Sequence, residues 1–370
     1  MADFYQNGTI TTLHNLGARS TAELEEDLLQ FSERRPLGLI LPSLYSEIAT
    51  PALPAIIEEL RSVPYLSQIV IGLDRATQDE YQHALSFFSD LPQHHRVLWN
   101  DGPRLKAIDA RLQEAGLAPQ ELGKGRNVWY CMGYVLATGK AEAVALHDCD
   151  ILTYERSLLA RLIYPVAHPI FGYEFCKGYY PRVSDNKING RVCRLLVTPM
   201  IRALKRIVGE SPYLNYLDSY RYILAGEFAF RKRLLGDLRI PTDWGLEIGV
   251  VSEVYRSNSN KQICQVDIAD NYDHKHRMAL DLIETYRNDA IMNGLNFDIH
   301  KEEEAIELFA ENILEAGTQF LERSTEAPFI PTWNRVFSAI PTIFDELVEA
   351  VEADHEEFSA TQDRLIVARG

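Results

Sequence analysis

Apolar and polar positions follow two periods over the first 150 residues, one suited to buried strands and the other to amphipathic helices. Ser20-Thr-Ala-Glu23 is a capping box ahead of Leu24, Leu28, Leu29 and Phe31, so a helix is expected to start there. Leu37-Gly-Leu-Ile-Leu41 reads as a short buried strand ended by Pro42. Thr50-Pro51 has the cap-then-proline order that opens a second helix through Leu60. Two further strands are expected at Gln68–Asp74 and Arg96–Trp99, and a helix from about Gly125 to Thr138 leads into the apolar run Ala143-Val-Ala-Leu146. Such β-α-β repetition predicts an α/β, Rossmann-like fold with a mostly parallel, doubly wound sheet.

The second half changes character. Ile170–Tyr180, rich in aromatic and β-branched residues, reads as a strand, and Asp185-Asn-Lys-Ile-Asn-Gly190 has turn composition. Helical segments are expected at about Arg191–Val208 and Leu217–Leu224, and a strand at Ile263–Ile268. Ile306, Phe309, Ile313, Ala316 and Phe320 recur at helical spacing on an acidic surface. The chain thus divides into residues 1–155, 156–285 and an acidic helical extension, 286–370. The extension is expected to pack on the core or on a second subunit, which allows a homodimer.

Charge sharpens this division. Lys plus Arg total 37 against 53 Asp plus Glu, a net of −16, and residues 281–370 alone hold 20 acids against 6 bases. The remainder is therefore close to neutral, at −2, and the acidity belongs to the tail. No basic face is left for nucleic acid or an anionic membrane. The five cysteines are odd in number and form no C-x-x-C pair, which points away from a disulfide framework or zinc knuckle. With no basic, apolar leader and no membrane-length apolar run, a reducing cytoplasm is the expected location.

The chemistry gathers where apolar runs break. Ala143–Leu146 gives way to His147-Asp-Cys-Asp150, two carboxylates at i and i+2 just past a strand. Ligands of open α/β sheets bind at such ends, and paired hard oxygens suit Mg²⁺ or Mn²⁺ with positions left for a diphosphate. The same pattern also occurs as a capping carboxylate in a solvated turn. Gly123-Lys-Gly-Arg126 opens a helix, where glycine admits a ligand and Lys124 supplies a point charge. Two histidines in His274-Lys-His-Arg277 follow an apolar strand. Glu227 and Glu247 each stand among apolar residues, either satisfied by hydrogen bonds or aimed at a ligand hydroxyl.

Taken in order, Pro42-Ser-Leu-Tyr-Ser-Glu47, Asp74, Gly123-Lys-Gly125, Asp148-Cys-Asp150, Lys177–Arg182, Asn189-Gly-Arg-Val192, Gly226-Glu227, Gly245–Gly249 and His274–Arg277 resemble the glucosyl-3-phosphoglycerate synthases and their mannosyl relatives. Those are retaining glycosyltransferases of the GT-A fold, and the likeness spans about residues 38 to 280. It implies a nucleotide-sugar donor, UDP-glucose foremost, and a small anionic acceptor such as 3-phosphoglycerate. Pro42, Leu44 and Glu47 would hold the uridine, with Asp74, Lys124, Asp148 and Cys149 completing the donor pocket. Asp150 and His274 would bind Mg²⁺ or Mn²⁺, His274 being preferred to His276 because His-Lys-His-Arg matches the family's His-Arg-Asn-Arg. Gly190, Arg191 and Val192 would face the acceptor, while Glu227 and Glu247, with Arg191, would act on the donor sugar or acceptor. Cys193 and Phe228 stand where relatives carry Thr and Tyr, so the acceptor side departs most. A sugar-phosphate nucleotidyltransferase would need a glycine-rich loop where Leu39–Tyr45 offers none. A non-catalytic nucleotide-sugar sensor would have lost Asp148, Asp150 or His274.

Overall fold

The computed structural model describes residues 8–14, 16, 19–119, 121–184, 187–188, 190, 192–209, 211–241, 245–273 and 329–369. The expected helix around 306–320, Arg191, His274 and His276 lie outside these residues. In chain order the first elements are β1 (Thr11–Leu13), α1 (Thr21–Ser32), β2 (Leu37–Leu44), α2 (Ala52–Arg61), β3 (Leu66–Asp74), α3 (Gln78–Phe88) and β4 (His95–Trp99). They are followed by α4 (Pro103–Glu114), α5 (Lys124–Thr138), β5 (Ala143–Leu146), α6 (Arg156–Ala167) and β6 (Phe175–Tyr179). In a two-residue hairpin, β7 (Val183–Ser184) pairs with β8 (Lys187–Ile188), which falls inside the segment of turn composition noted above. Next come α7 (Thr198–Val208), α8 (Pro212–Asp218), β9 (Phe228–Arg231), α9 (Lys232–Asp237), β10 (Ile240–Pro241), α10 (Leu246–Ser257) and β11 (Ile263–Asp267). The described C-terminal part holds β12 (Phe329–Ile330), α11 (Trp333–Ala339) and α12 (Ile343–Arg369).

Among the described residues eight strands make one sheet in the order β1-β11-β6-β9-β5-β2-β3-β4. All neighbours are parallel except β9, which runs antiparallel to both β5 and β6. From β2 the chain winds outward through β3 and β4, then returns to lay β5 on the other side of β2. Strand order reverses there, so the C-terminal ends of β2 and β5 open a crevice, the usual ligand position in such sheets. Period-two alternation sorts the sheet residues between two cores. Leu37, Leu39 and Leu41 pack with α1, α2, α3 and α6, whereas Ile40, Val70 and Val144 pack with α4 and α5.

The described C-terminal residues build onto the second of these cores. Trp333 is fully buried and stacks on Trp129 of α5 at 4.0 Å and 18°. Its indole N–H donates to the Trp129 carbonyl at 2.8 Å, and the Trp129 indole donates to that of Pro331 at 3.0 Å. The ring lies so close to Gly133 that a Cβ there would come within 2.2 Å of it. Acids of α12 meet bases of the first half: Glu352 pairs with Arg96 at 2.8 Å, Asp354 and Glu357 with Arg104, and Glu346 with Arg111. Tail acidity is thus partly neutralised within the molecule. No helix among the described residues is long and apolar enough to cross a membrane.

Several elements depart from the sequence reading. Strand β2 continues past Pro42 to Leu44, because the β2–β5 ladder has already ended at Ile40 and a residue without an N–H costs nothing there. Helix α2 begins at Ala52 with Pro51 as its cap, one residue late. Of Ile170–Tyr180 only Phe175–Tyr179 is strand; Ile170 and Phe171 sit exposed in the turn after α6. The helix expected over Leu217–Leu224 is instead α8, ending at Asp218. A π-helical turn over Cys193–Val197 precedes α7.

Candidate active site

At the crevice, the ends of β2 and β5 and the first turns of α5 and α10 converge. Gly123 is an extended cap that starts α5 at Lys124, and Gly245 starts α10 with Glu247 in its first turn. The Lys124 ammonium bridges Asp148 Oδ1 at 2.6 Å and Glu247 Oε1 at 2.9 Å. Burial pulls this amine down, but Asp148 and then Glu247 outweigh it and hold the pKa well above its ordinary value. Lys124 is therefore a permanent cation that joins three elements.

Glu47 folds back at the end of β2, where Oε2 accepts from the Leu44 N–H at 3.2 Å and the Ser43 hydroxyl at 3.1 Å. Leu44 lies opposite Asp74 across the β2–β3 ladder, and Asp74 Oδ1 accepts from the Asn100 amide at 2.6 Å. Burial raises the Asp74 carboxyl. The expected donor-side residues Leu44, Glu47, Asp74, Lys124 and Asp148 thus share one rim. Pro42 is buried below it, and the Cys149 side chain, 2 % exposed, lies against Ser43 beneath the carboxylates of Glu47, Asp148 and Asp150.

Asp150 is raised by burial first, then by the charges of Asp148 and Glu47, with Lys124 opposing only in part. Three carboxylates crowd here around one amine that already serves Asp148 and Glu247. This donor set fits a divalent cation, whose charge relieves the crowding. Among the described residues no three His, Cys, Asp or Glu side chains form a complete metal cage. The remaining donors would come from outside them, as from His274, or from ligand phosphates.

Glu227 is satisfied by hydrogen bonds, one of the two arrangements its apolar surroundings allow. It is fully buried, with Oε2 accepting from Tyr180 at 2.8 Å and Oε1 from Tyr272 at 2.5 Å. Those two rings stack at 3.7 Å. Burial, and after it Asp148, raises the Glu227 carboxyl while the tyrosine hydroxyls oppose. Both of its carboxylate oxygens are thus engaged by tyrosine hydroxyls beside Asp148. Just before it, a Cβ on Gly226 would lie 2.5 Å from Asp148 Oδ2, so the bare backbone sets that carboxylate's position.

Phe228, expected to meet the acceptor, is fully buried in the core. It begins β9, packs on Phe175 and Phe230, and carries the Lys177 ammonium 4.1 Å above its ring. Lys177, also fully buried, donates to the Ala225 carbonyl at 2.7 Å, and burial pulls its pKa down to about 7 against Glu247 and Glu227. Gly190, Val192 and Cys193 follow the β7–β8 hairpin, Cys193 being buried. The sequence reading included Lys177 and Tyr180 in a family motif without giving them a role, and it did not single out Tyr272. A lone lysine inside the apolar run Phe175–Tyr179 was the available signal.

His147 locks the base of the crevice. Its Nδ1–H donates to the Asp148 carbonyl at 3.0 Å, which leaves Nε2 to accept from Tyr154 at 3.1 Å, so the ring is neutral. Burial lowers its pKa from 6.5 to about 4, with the Asp148 carbonyl and charge opposing. Below pH 6.5 the unfolded chain takes up a proton that the folded chain refuses, so stability falls as pH drops from 6.5 towards 4. This residue alone is expected to remove about 3 kcal/mol over that range. Urea midpoints for His147→Gln should change less between pH 7 and pH 4.5 than those of wild type; equal slopes would refute the assignment.

No family model matches the sequence. Among curated proteins, the chain is 43% identical to the glucosyl-3-phosphoglycerate synthase of Persephonella marina over 403 positions, spanning 96% of this chain and 100% of that one. It is 36% identical to the synthase of that name from Methanococcoides burtonii over 406 positions, with 96% and 99% spanned. Among solved structures, the glucosyl-3-phosphoglycerate synthase of Mycobacterium tuberculosis in complex with phosphoglyceric acid superposes with a TM-score of 0.54 at 20% identity, covering 74% of this chain and 82% of that one. Its complex with Mn²⁺, UDP-glucose and phosphoglyceric acid gives 0.53 at 20% identity, covering 75% and 84%. These structures share the fold.

Proposed function

Since the chain belongs to the glucosyl-3-phosphoglycerate synthase family, we propose that it transfers glucose, with retention, from UDP-glucose to 3-phosphoglycerate with Mg²⁺ or Mn²⁺. The observation that carries this reading is the Asp148–Lys124–Glu247 bridge beside Asp150 at the point where strand order reverses. It places two fixed carboxylates and a permanent cation where a sugar diphosphate would lie.

On this reading Leu44, Glu47 and Asp74 line the uridine side, and Asp150 with His274 would hold the cation. Held there, a divalent cation would supply positive charge to the leaving diphosphate. Lys124 fixes Asp148 near the ribose and turns Glu247 towards the donor sugar, where its carboxylate can accept from a hydroxyl. Glu227, Tyr180, Tyr272 and Lys177 are positioning residues that keep the wall rigid and dry. Gly190, Arg191 and Val192 are assigned to the acceptor.

Mass spectrometry of product from UDP-glucose and 3-phosphoglycerate tests the transfer directly. UDP with metal, at a hundredfold excess over its Kd, is expected to stabilise the fold by about 2.7 kcal/mol, visible as a rise in Tm, with GDP giving less. Greater stabilisation by GDP would overturn the uridine assignment.

A further inference from the structure

Arg182 lies beyond the end of β6, beside the wall that holds Glu227, yet among the described residues no carboxylate pairs with it. Its Nη1 donates to the Tyr222 hydroxyl at 2.8 Å, while Nε is buried with no partner. The charged neighbours usual for a half-buried guanidinium are replaced by the hydroxyls of Tyr222, Tyr180 and Tyr272. A cation taken partly out of water without a counter-charge is costly unless an anion arrives to complete it.

Its surroundings indicate which anion that is. Tyr222 packs 5.3 Å from Tyr180, which stacks on Tyr272, and both of the latter hold Glu227 behind Asp148. Gly190 has φ +76°, and a Cβ there would lie 3.3 Å from the Tyr222 ring and 3.9 Å from Arg182 Cδ. Arg182 is therefore continuous with the donor site through one aromatic wall and adjoins the backbone assigned to the acceptor. With Nη1 committed to Tyr222, the Nε side of the planar fork is the side left for a carboxylate or phosphate.

We propose that Arg182 is a second acceptor-binding cation, taking one anionic group of the acceptor. This rests on the transferase reading above.

The test uses the full chain with Mn²⁺ and UDP-glucose, and compares wild type with Arg182→Met and Arg182→Lys. Methionine keeps an aliphatic stem against the tyrosines but removes the charge; lysine keeps the charge. Arg182→Met is expected to raise the KM for 3-phosphoglycerate at least about tenfold, with the KM for UDP-glucose and the Tm unchanged, and Arg182→Lys to recover part of the loss. Glycerol 3-phosphate lacks the carboxylate and glycerate lacks the phosphate. The acceptor without the anion read by Arg182 should be indifferent to the substitution. An unchanged KM for 3-phosphoglycerate in Arg182→Met overturns the proposal. So does an equal loss in both variants accompanied by a lower Tm, the mark of a purely structural strut. If wild type transfers to none of these acceptors, the transferase reading fails on its own. Calorimetric binding of 3-phosphoglycerate to wild type and Arg182→Met then decides Arg182 separately: weaker binding in the variant supports it, and equal or absent binding rejects it.

Discussion

Asp150→Ala is expected to lower turnover at least about a thousandfold, the scale of losing a charge-stabilising group at a diphosphate, while the fold stays intact. The same change should raise the Tm of metal-free protein at pH 8. Burial, Asp148 and Glu47 raise the folded-state pKa of Asp150 above its unfolded value. Its contribution to stability is therefore greatest at low pH and is lost as pH rises through the folded pKa, so at pH 8 the ionised carboxylate works against folding. Alanine removes that burden. Adding Mn²⁺ and UDP should reverse the order, stabilising wild type and not the variant. Turnover near wild type, or a variant that melts lower than wild type in EDTA, would refute this role.

The contrast explains which parts of the site could be read from sequence. A central strand covered on both faces must be apolar throughout, so the abrupt end of the run at Leu146 marks where β5 leaves the sheet, and Asp148 and Asp150 follow directly. The α5 start at Lys124 was legible from the glycines of Gly123-Lys-Gly125, which stand at the opening of the helix. By contrast, β9 has only four residues, and its place between β5 and β6 is fixed by partners 50 and more positions away in the chain. Nothing local announces its antiparallel direction. Its pleat sends Phe228 and Phe230 to one core and Ala229 to the other, which is why Phe228, aligned with an acceptor position by motif, is a core residue. Helix α3 was readable in hindsight from the Thr77-x-x-Glu80 capping box. Helix α6 was not, having no side-chain cap and a proline, Pro165, inside it.

Trp333→Ala is expected to destabilise the protein by about 3–5 kcal/mol, the range for emptying a large buried aromatic site. The ring is fully enclosed, stacked on Trp129 and pressed against Gly133, so α5 cannot close over the space it leaves. Both indole hydrogen bonds would be disturbed as well, since Pro331 and Trp333 share one segment. Chemical denaturation should show a lower midpoint, and the loss should reach the crevice because α5 carries Lys124 at its first turn. An unfolding free energy within about 1 kcal/mol of wild type would mean that α11 and α12 are dispensable ornaments of the sheet.

The distance in sequence between the two stacked tryptophans also sets a timetable for synthesis. Trp129 leaves the ribosome roughly 200 residues before Trp333, which at about 5–20 residues per second is an interval of roughly 10–40 s. Throughout it, the face of α5 that Trp333 will cover stays open, and Arg96, Arg104 and Arg111 wait for their acids. A nascent chain halted before residue 329 should therefore present a sticky, basic surface to chaperones, which the finished protein conceals.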